Sequence, residues 1–311
     1  MAYHLFTNKK DISGLVGNVS WHSNVDTLGM QLDFNLAYSD MKEIPKNVVS
    51  IGDLIILKNN NTELFRGIVV SEKSAGRSPR SYVCFDFAFY LNKSKIIKQF
   101  NKHTASNAIQ EVLREFNIPN KVVSIPTKIS TIYKDKVVSD IIKDILSQAT
   151  KELGIKYRME MRGGTLVIEK QKDLYVKARV DLIGNPSRSQ SIEEMKNSIV
   201  IVSGDEKVTK VVAKAKDNKN IKKYGLLQDV QSVDQKDIAK AQNIANQTLK
   251  ELNVIKEDNS IELLGDDNVR AGRLLKVNEP ITGIVGTYLI TDCKQSLNNG
   301  IRKMSLTLGV T

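Results

Sequence analysis

Gly52-Asp53-Leu54-Ile55-Ile56-Leu57 and Gly272-Arg273-Leu274-Leu275-Lys276-Val277 are the two stretches on which the fold reading turns. Each opens on a glycine and continues into an apolar run of strand length. Fifteen residues after Gly52 comes Gly67, in Arg66-Gly67-Ile68-Val69; fourteen after Gly272 comes Gly286, in Val285-Gly286-Thr287-Tyr288-Leu289-Ile290. A polar turn with a lysine (Lys73, Lys294) and a final alternating strand follow each. Shared spacing with few shared identities is what a duplicated unit retains after divergence, although generic β-hairpins produce part of the same pattern. The expectation is a pair of similar β-rich portions, one toward each end of the chain.

The surroundings of each stretch extend that expectation. Val19, Trp21, Leu28, Met30, Leu32, Phe34 and Leu36 fall at near-alternate positions, the period of a half-buried strand. Leu54 to Leu57 and Leu64 to Val70 flank the turn-rich Asn59-Asn60-Asn61, and Tyr82 to Tyr90 closes the group. The middle of the chain changes period. Thr104 is a good N-cap for a helix with Ala105, Ala108, Ile109, Val112, Leu113 and Phe116 on one face, ending before Pro119. A second helix from Ser139 carries Ile141, Ile142, Ile145, Leu146, Ala149 and Leu153, with Gly154 at its C-terminal cap. Ile155, Tyr157, Met159 and Met161 then alternate up to a Gly163-Gly164 turn, and Leu166 and Ile168 continue the period.

Further on, Ser187 to Ser191 reads as a polar connection, and Ser191 with Glu194 fits a capping box for one short helical turn. Strand patterns resume at Ser198 to Ser203 and Val208 to Ala215. A helix at about 235–252 shows Ile238, Ala241, Ala245, Leu249 and Leu252 as its apolar stripe. Runs at Leu274 to Val277, Ile284 to Ile290 and Ile301 to Leu308 end the chain. The fold class is therefore α+β, mainly β: two small antiparallel β-barrel-like domains flanking a helix-helix-hairpin α+β block. The expected domains are 1–91, 92–186 and 187–311, the last with the helix at about 235–252 inserted.

The chain has 311 residues, 41% of them hydrophobic and 26% charged, which is globular usage. No apolar stretch is long enough for a membrane helix, and Met1 to Lys10 lacks the apolar core of a signal peptide. Cys84 and Cys293 sit in apolar strand-like runs and read as small buried hydrophobes, so the chain is expected to fold in a reducing cytoplasm. The net charge of +11 admits nucleic acid or an acidic protein surface as partner. Its densest part is Lys207, Lys210, Lys214, Lys216, Lys219, Lys222 and Lys223, with Asp217 as the one acid between them. These lysines are either a solvated hairpin whose edge resists stray strand pairing or an interface.

No catalytic, cofactor-binding or metal residue is expected. His4, His22 and His103 are scattered, neither cysteine has CxxC spacing, and no GxSxG, Walker or GxGxxG motif is present. Glu193-Glu194 suits a helical first turn, and Asp266-Asp267-Asn268 lacks the spaced ligands of a calcium loop. A peptidoglycan hydrolase would need an essential acid such as Asp266. A cytoplasmic nucleic-acid-binding protein would use the lysines, but aromatics are 6% of the chain and only Tyr224 borders the run.

The order of short segments across nearly the whole chain resembles the central hub proteins of contractile-tail baseplates, of the XkdQ/YqbQ type (late control protein D-like) found in prophages and tailocins. The segments are Asp86-Phe87-Ala88-Phe89-Tyr90-Leu91-Asn92-Lys93, Lys102-His103-Thr104-Ala105-Ser106, Gly154-Ile155-Lys156-Tyr157, Ser191-Ile192-Glu193-Glu194-Met195-Lys196-Asn197 and Lys223-Tyr224-Gly225-Leu226-Leu227-Gln228. The helix at 235–252, Ala271-Gly272 and Gly286-Thr287-Tyr288-Leu289-Ile290 complete the series. The resemblance implies tail-tube-like domains, no catalytic residues and no cofactor. It also implies a homotrimer whose paired β domains present six similar units to a hexameric tail tube. The implied partners are the tail tube, spike and tape-measure proteins and other baseplate subunits, with no membrane and no specific nucleic acid. The protein would assemble in the bacterial cytoplasm and reside in a virion or tailocin baseplate, and no segment is spare for a fused lysozyme.

Overall fold

A computed structural model describes residues 3–39, 48–172, 174–180, 182–204 and 209–310. The chain divides into a larger unit, Met1–Pro186 with Ser260–Thr311, and a smaller one, Ser187–Asn259. It leaves the larger unit along the strand Gly184–Ser191 and returns along Lys256–Leu264, so the helix expected at 235–252 lies within a longer insertion.

Among the described residues thirteen strands form one sheet. The N-terminal group runs in the order Val16–Asn24, Met30–Leu36, Arg80–Asp86, Thr62–Lys73, Leu54–Asn59, Tyr3–Thr7. The C-terminal group runs Gly184–Ser191, Lys256–Leu264, Ile301–Val310, Ile284–Asn298, Leu274–Glu279, Tyr175–Val176. With the two-residue strand Lys10–Asp11, which pairs beyond Tyr3–Thr7 at the edge, set aside, both orders counted along the chain are second, third, sixth, fifth, fourth, first. One pairing differs in sense: Tyr3–Thr7 lies antiparallel to its neighbour, Tyr175–Val176 parallel to its own.

The glycines that open the two quoted stretches occupy matching places. Gly52 N donates to Val69 O at 2.8 Å and Val69 N to Asp53 O at 3.0 Å; Gly272 N donates to Ile290 O at 2.8 Å and Ile290 N to Arg273 O at 2.8 Å. Both glycines are left-handed, at φ +90° and +79°, a conformation that a Cβ disfavours. At equal distances beyond them, Ile55, Leu57 and Asn59 are buried on one side, and Leu275, Val277 and Glu279 on the other. The second pair of glycines does not correspond: Gly67 stands opposite Ile55, whereas Gly286 stands opposite Val277.

The edge strand of the N-terminal group joins an interior strand of the C-terminal group. Val19–Asn24 pairs antiparallel with Asp292–Leu297, so the second half of the strand Ile284–Asn298 continues the N-terminal group. The first half of that strand pairs with Leu274–Glu279. The changeover coincides with a register shift between Ile290 and Asp292, the added twist of a β-bulge re-aiming the strand. The strand path stays open, and no barrel closes among the described residues. Each group has its own apolar core. One gathers Trp21, Leu32, Phe34, Ile55, Leu57 and Tyr82, with the Phe34 and Tyr82 rings stacked at 5.1 Å; the other gathers Ile261, Leu275, Val277, Ile290, Met304 and Leu306.

The block between them contains both expected helices, Ala105–Glu115 and Val138–Leu153, and the expected hairpin, Tyr157–Arg162 with Thr165–Lys170. Thr104 Oγ1 accepts from Asn107 N, which caps the first helix as read from sequence. The strand expected to run to Tyr90 stops at Asp86, because Asp86 Oδ1 accepts from Ala88 N and starts the short helix Ala88–Lys93. Two long strands, Lys95–Thr104 and Lys128–Val137, pair beneath the helices and carry too many charges to be recognised by alternation.

The smaller unit is a three-stranded sheet, Thr209–Lys216, Ser198–Gly204, Gln228–Ser232, with the helix Ala241–Leu252 over Ile199, Ile201, Ala213 and Ala215. Three local expectations are corrected here. Ser187 to Ser191 belongs to a strand rather than a connection. Ser191 Oγ accepts from Glu193 N and closes a turn, not a helical turn, because fully buried Asn197 bonds Gly225 O and Leu227 N and draws the chain straight into a strand. The stretch Gln235–Lys240 is a 3-10 helix that leaves Ile238 exposed, outside the apolar stripe.

Candidate functional site

Lys207 lies outside the described residues. Lys210, Lys214 and Lys216 are exposed on Thr209–Lys216, which the strand order places at an edge of the small sheet. Lys219, Lys222 and Lys223 are exposed on a separate short helix, Asn218–Tyr224. The run is therefore not one hairpin. Asp217 accepts from Lys219 N and Asn220 N, and that cap ends the strand and begins the helix in the middle of the lysines.

A second cluster lies at the seam of the large sheet. The Arg302 guanidinium, 7% exposed, donates to Gln295 Oε1 at 2.9 Å and pairs with Tyr3 and Asp267. It also stands over the Trp21 ring at 4.9 Å. Asn59 donates to the other Asp267 oxygen at 2.7 Å. Tyr3, Trp21 and Asn59 come from one strand group, Asp267, Gln295 and Arg302 from the other. Burial holds the Tyr3 hydroxyl above its ordinary pKa, Arg302 opposing.

A third cluster surrounds Glu160 on the hairpin. Its carboxylate, 10% exposed, pairs with Arg158 and, at 2.9 Å, with Arg270, and accepts from Arg273 at 2.8 Å and Arg162 at 2.9 Å. Glu169, across the hairpin, takes Arg162 at 2.6 Å and Arg158 at 3.2 Å. Burial disfavours the Glu160 charge, but the arginines outweigh it and hold the carboxyl at about 2. Asp86 accepts from Met30 N and Ala88 N; burial nevertheless raises it to about 6, with the Arg270 charge acting the other way. Beside Glu160 opens a cavity of about 550 Å³, lined by residues of the N-terminal β group, the helix Val138–Leu153, the hairpin and the loop at Arg270–Arg273.

The side chains weighed for chemistry serve local structure. His22 meets Asp292 at 2.6 Å and His4 meets Asp11 at 3.0 Å, each pair bridging two neighbouring strands. Asp266 Oδ1 accepts from Asn268 N and caps its own turn. Among the described residues no three His, Cys, Asp or Glu side chains are grouped to hold a metal ion. No described helix is long and apolar enough to cross a membrane. Cys84 and Cys293 are buried free thiols, and burial pushes Cys293 up to about 12. The structure does unite two distant segments singled out above: Asn197 with Gly225 and Leu227.

Sequence reading missed both arginine clusters. Arg158, Glu160 and Arg162 alternate with the apolar Tyr157, Met159 and Met161, where alternation reads as a solvated face. Only the fold brings Arg270 and Arg273 against them. Arg302 falls in step with the apolar Met304, Leu306 and Leu308, and a charge at an inward position of its strand was the available signal.

A family model described as YQBQ-like matches residues 19–309. The chain is 28% identical over 272 residues to the uncharacterized protein YqbQ of Bacillus subtilis, covering 83% of this chain and 81% of that one. It is 28% identical over 252 residues to the phage-like element PBSX protein XkdQ of the same organism, covering 78% and 76%. Among solved structures, the 43 kDa tail protein of prophage MuSo2 from Shewanella oneidensis has the same fold, with TM-score 0.74, 13% identity and coverage of 98% of this chain and 97% of that one. A tail protein from Neisseria meningitidis MC58 gives TM-score 0.68 at 15% identity, covering 99% and 95%.

Proposed function

The chain belongs to the YQBQ-like family, and from that premise we propose that it is a non-enzymatic structural hub of a contractile-tail baseplate. It acts as a homotrimer that adapts a hexameric tail tube to a trimeric spike. The observation that carries the reading is the strand order second-third-sixth-fifth-fourth-first, present twice in one continuous sheet. Three chains with two such groups each can place six related edges around a ring, which is what matching threefold to sixfold symmetry requires. On this reading the two strand groups, 3–86 and 175–191 with 256–310, supply the paired tube-like units and the block between them joins them. The Arg302 cluster holds the two groups in one fixed relation, so that the six edges form a rigid collar.

The particle is a phage virion or a tailocin, and assembly takes place in the bacterial cytoplasm with tube, spike, tape-measure and other baseplate proteins as partners. The interface lysines, Lys207, Lys210, Lys214, Lys216, Lys219, Lys222 and Lys223, face an acidic surface of the tube or tape-measure protein. Sedimentation velocity on the full chain, alone and with its spike, tests the oligomer. A trimer, or a monomer that becomes a trimer with spike, is expected; a stable dimer refutes the hub. For the lysines, Lys214→Glu with Lys216→Glu should block particle assembly until acidic residues of the partner are reversed. Unimpaired assembly removes them from the interface.

A further inference from the structure

The cavity beside Glu160 has an unbalanced charge. Lys143, Lys156, Arg158, Arg270 and Arg273 line it together with one carboxylate, Glu160. Five cations meet one carboxylate, and that carboxylate serves four arginines at once. Arg273, 13% exposed, gives Glu160 one N–H and has no other described partner. Arg270 is ion-paired with Glu160 at 2.9 Å and gives one N–H to Met161 O at 3.3 Å. A guanidinium has five donors, and a screened guanidinium with unmet donors is an anion-binding group. The same cavity is lined by Leu28, Leu146, Met159 and Leu289. A compact oxyanion such as phosphate gains nothing from those side chains, whereas an acid with an apolar stem satisfies both parts of the wall. The volume falls in the range of about 300–1,000 Å³ usual for small-ligand pockets.

We infer that this cavity is a binding site for a carboxylate borne on an apolar stem. The inference rests on the cavity's lining alone and is independent of the hub reading. Full-length protein is titrated with hexanoate by calorimetry at constant ionic strength, with hexanol, phosphate and citrate in parallel. Saturable one-site binding of hexanoate is expected, with hexanol at least about tenfold weaker, the factor set by one charge-assisted hydrogen bond. Arg273→Gln should weaken hexanoate by a similar factor. Lys156→Gln, an exposed change that touches no hydrogen bond of the fold, should weaken it about twofold and decides the matter if Arg273→Gln does not fold. Equal binding of hexanol, tighter binding of phosphate or citrate, or variants that titrate like the wild type would each overturn the assignment.

Discussion

Replacing Glu160 by Gln removes one negative charge from the midst of Arg158, Arg162, Arg270 and Arg273 and leaves the shape of the side chain unchanged. The carboxyl is held at about 2 against an ordinary 4.5, which corresponds to about 3 kcal/mol favouring the ionised form in the folded chain. Because the folded value is the depressed one, this stabilisation is complete above about pH 4.5 and disappears as the pH falls through about 2. Gln is close to the protonated acid, so the difference between wild type and Glu160→Gln should follow that curve. At pH 7 the variant should be less stable by about 3 kcal/mol, a fall of roughly 6–12 °C in Tm for a unit of this size. At pH 3 the difference should shrink to between 1 and 2 kcal/mol, about half. Urea unfolding followed by circular dichroism at both pH values measures it. A difference under about 1 kcal/mol at pH 7, or one that does not shrink at pH 3, would show that the arginines do not depend on this carboxylate.

Arg302→Leu should cost about 3 kcal/mol, the lower end for breaking a buried pair, because it leaves the partly buried Asp267 without its cation. Trp21 is the sole tryptophan, so its emission should report the change at the seam before global unfolding; an unaltered spectrum and midpoint would count against a fastening role. Gly52→Ala and Gly272→Ala, at φ +90° and +79°, should each cost about 1–2 kcal/mol by thermal denaturation. A loss at one position only would separate the two strand groups energetically. Gly265→Ala should be worse than either, because a Cβ there would collide with the Arg302 side chain; wild-type stability would mean that Arg302 can move aside. Cys84 and Cys293, both buried with raised thiol pKa, should react with an aromatic disulfide reagent only in denaturant. Rapid labelling of the native chain would place them at the surface.

Much of the architecture was legible along the chain, because strand and helix periodicity are local properties. Trp21 to Leu36, the helices at 105–115 and 138–153, and the Gly163-Gly164 hairpin all follow from spacing and turn chemistry. The glycine echo was legible in part: Gly52 and Gly272 share a hydrogen-bonding pattern, and Gly67 and Gly286 do not, since a glycine is required only where φ or close packing demands it. The strands at 95–104 and 128–137 were hidden by their charges. So was the short helix that divides the lysine run, which depends on the Asp217 cap.

The sequence by itself determined most of the elements, the mainly β class, the absence of familiar catalytic motifs and the resemblance to the XkdQ/YqbQ type. Tertiary structure alone decided that the two β groups share one open sheet through Val19–Asn24 and Asp292–Leu297, and that Arg270 and Arg273 converge on Glu160. The physical reason is sequence separation. Strand pairing and ion pairing between residues more than a hundred positions apart leave no period in the chain, because the partners are chosen by the path of the whole sheet.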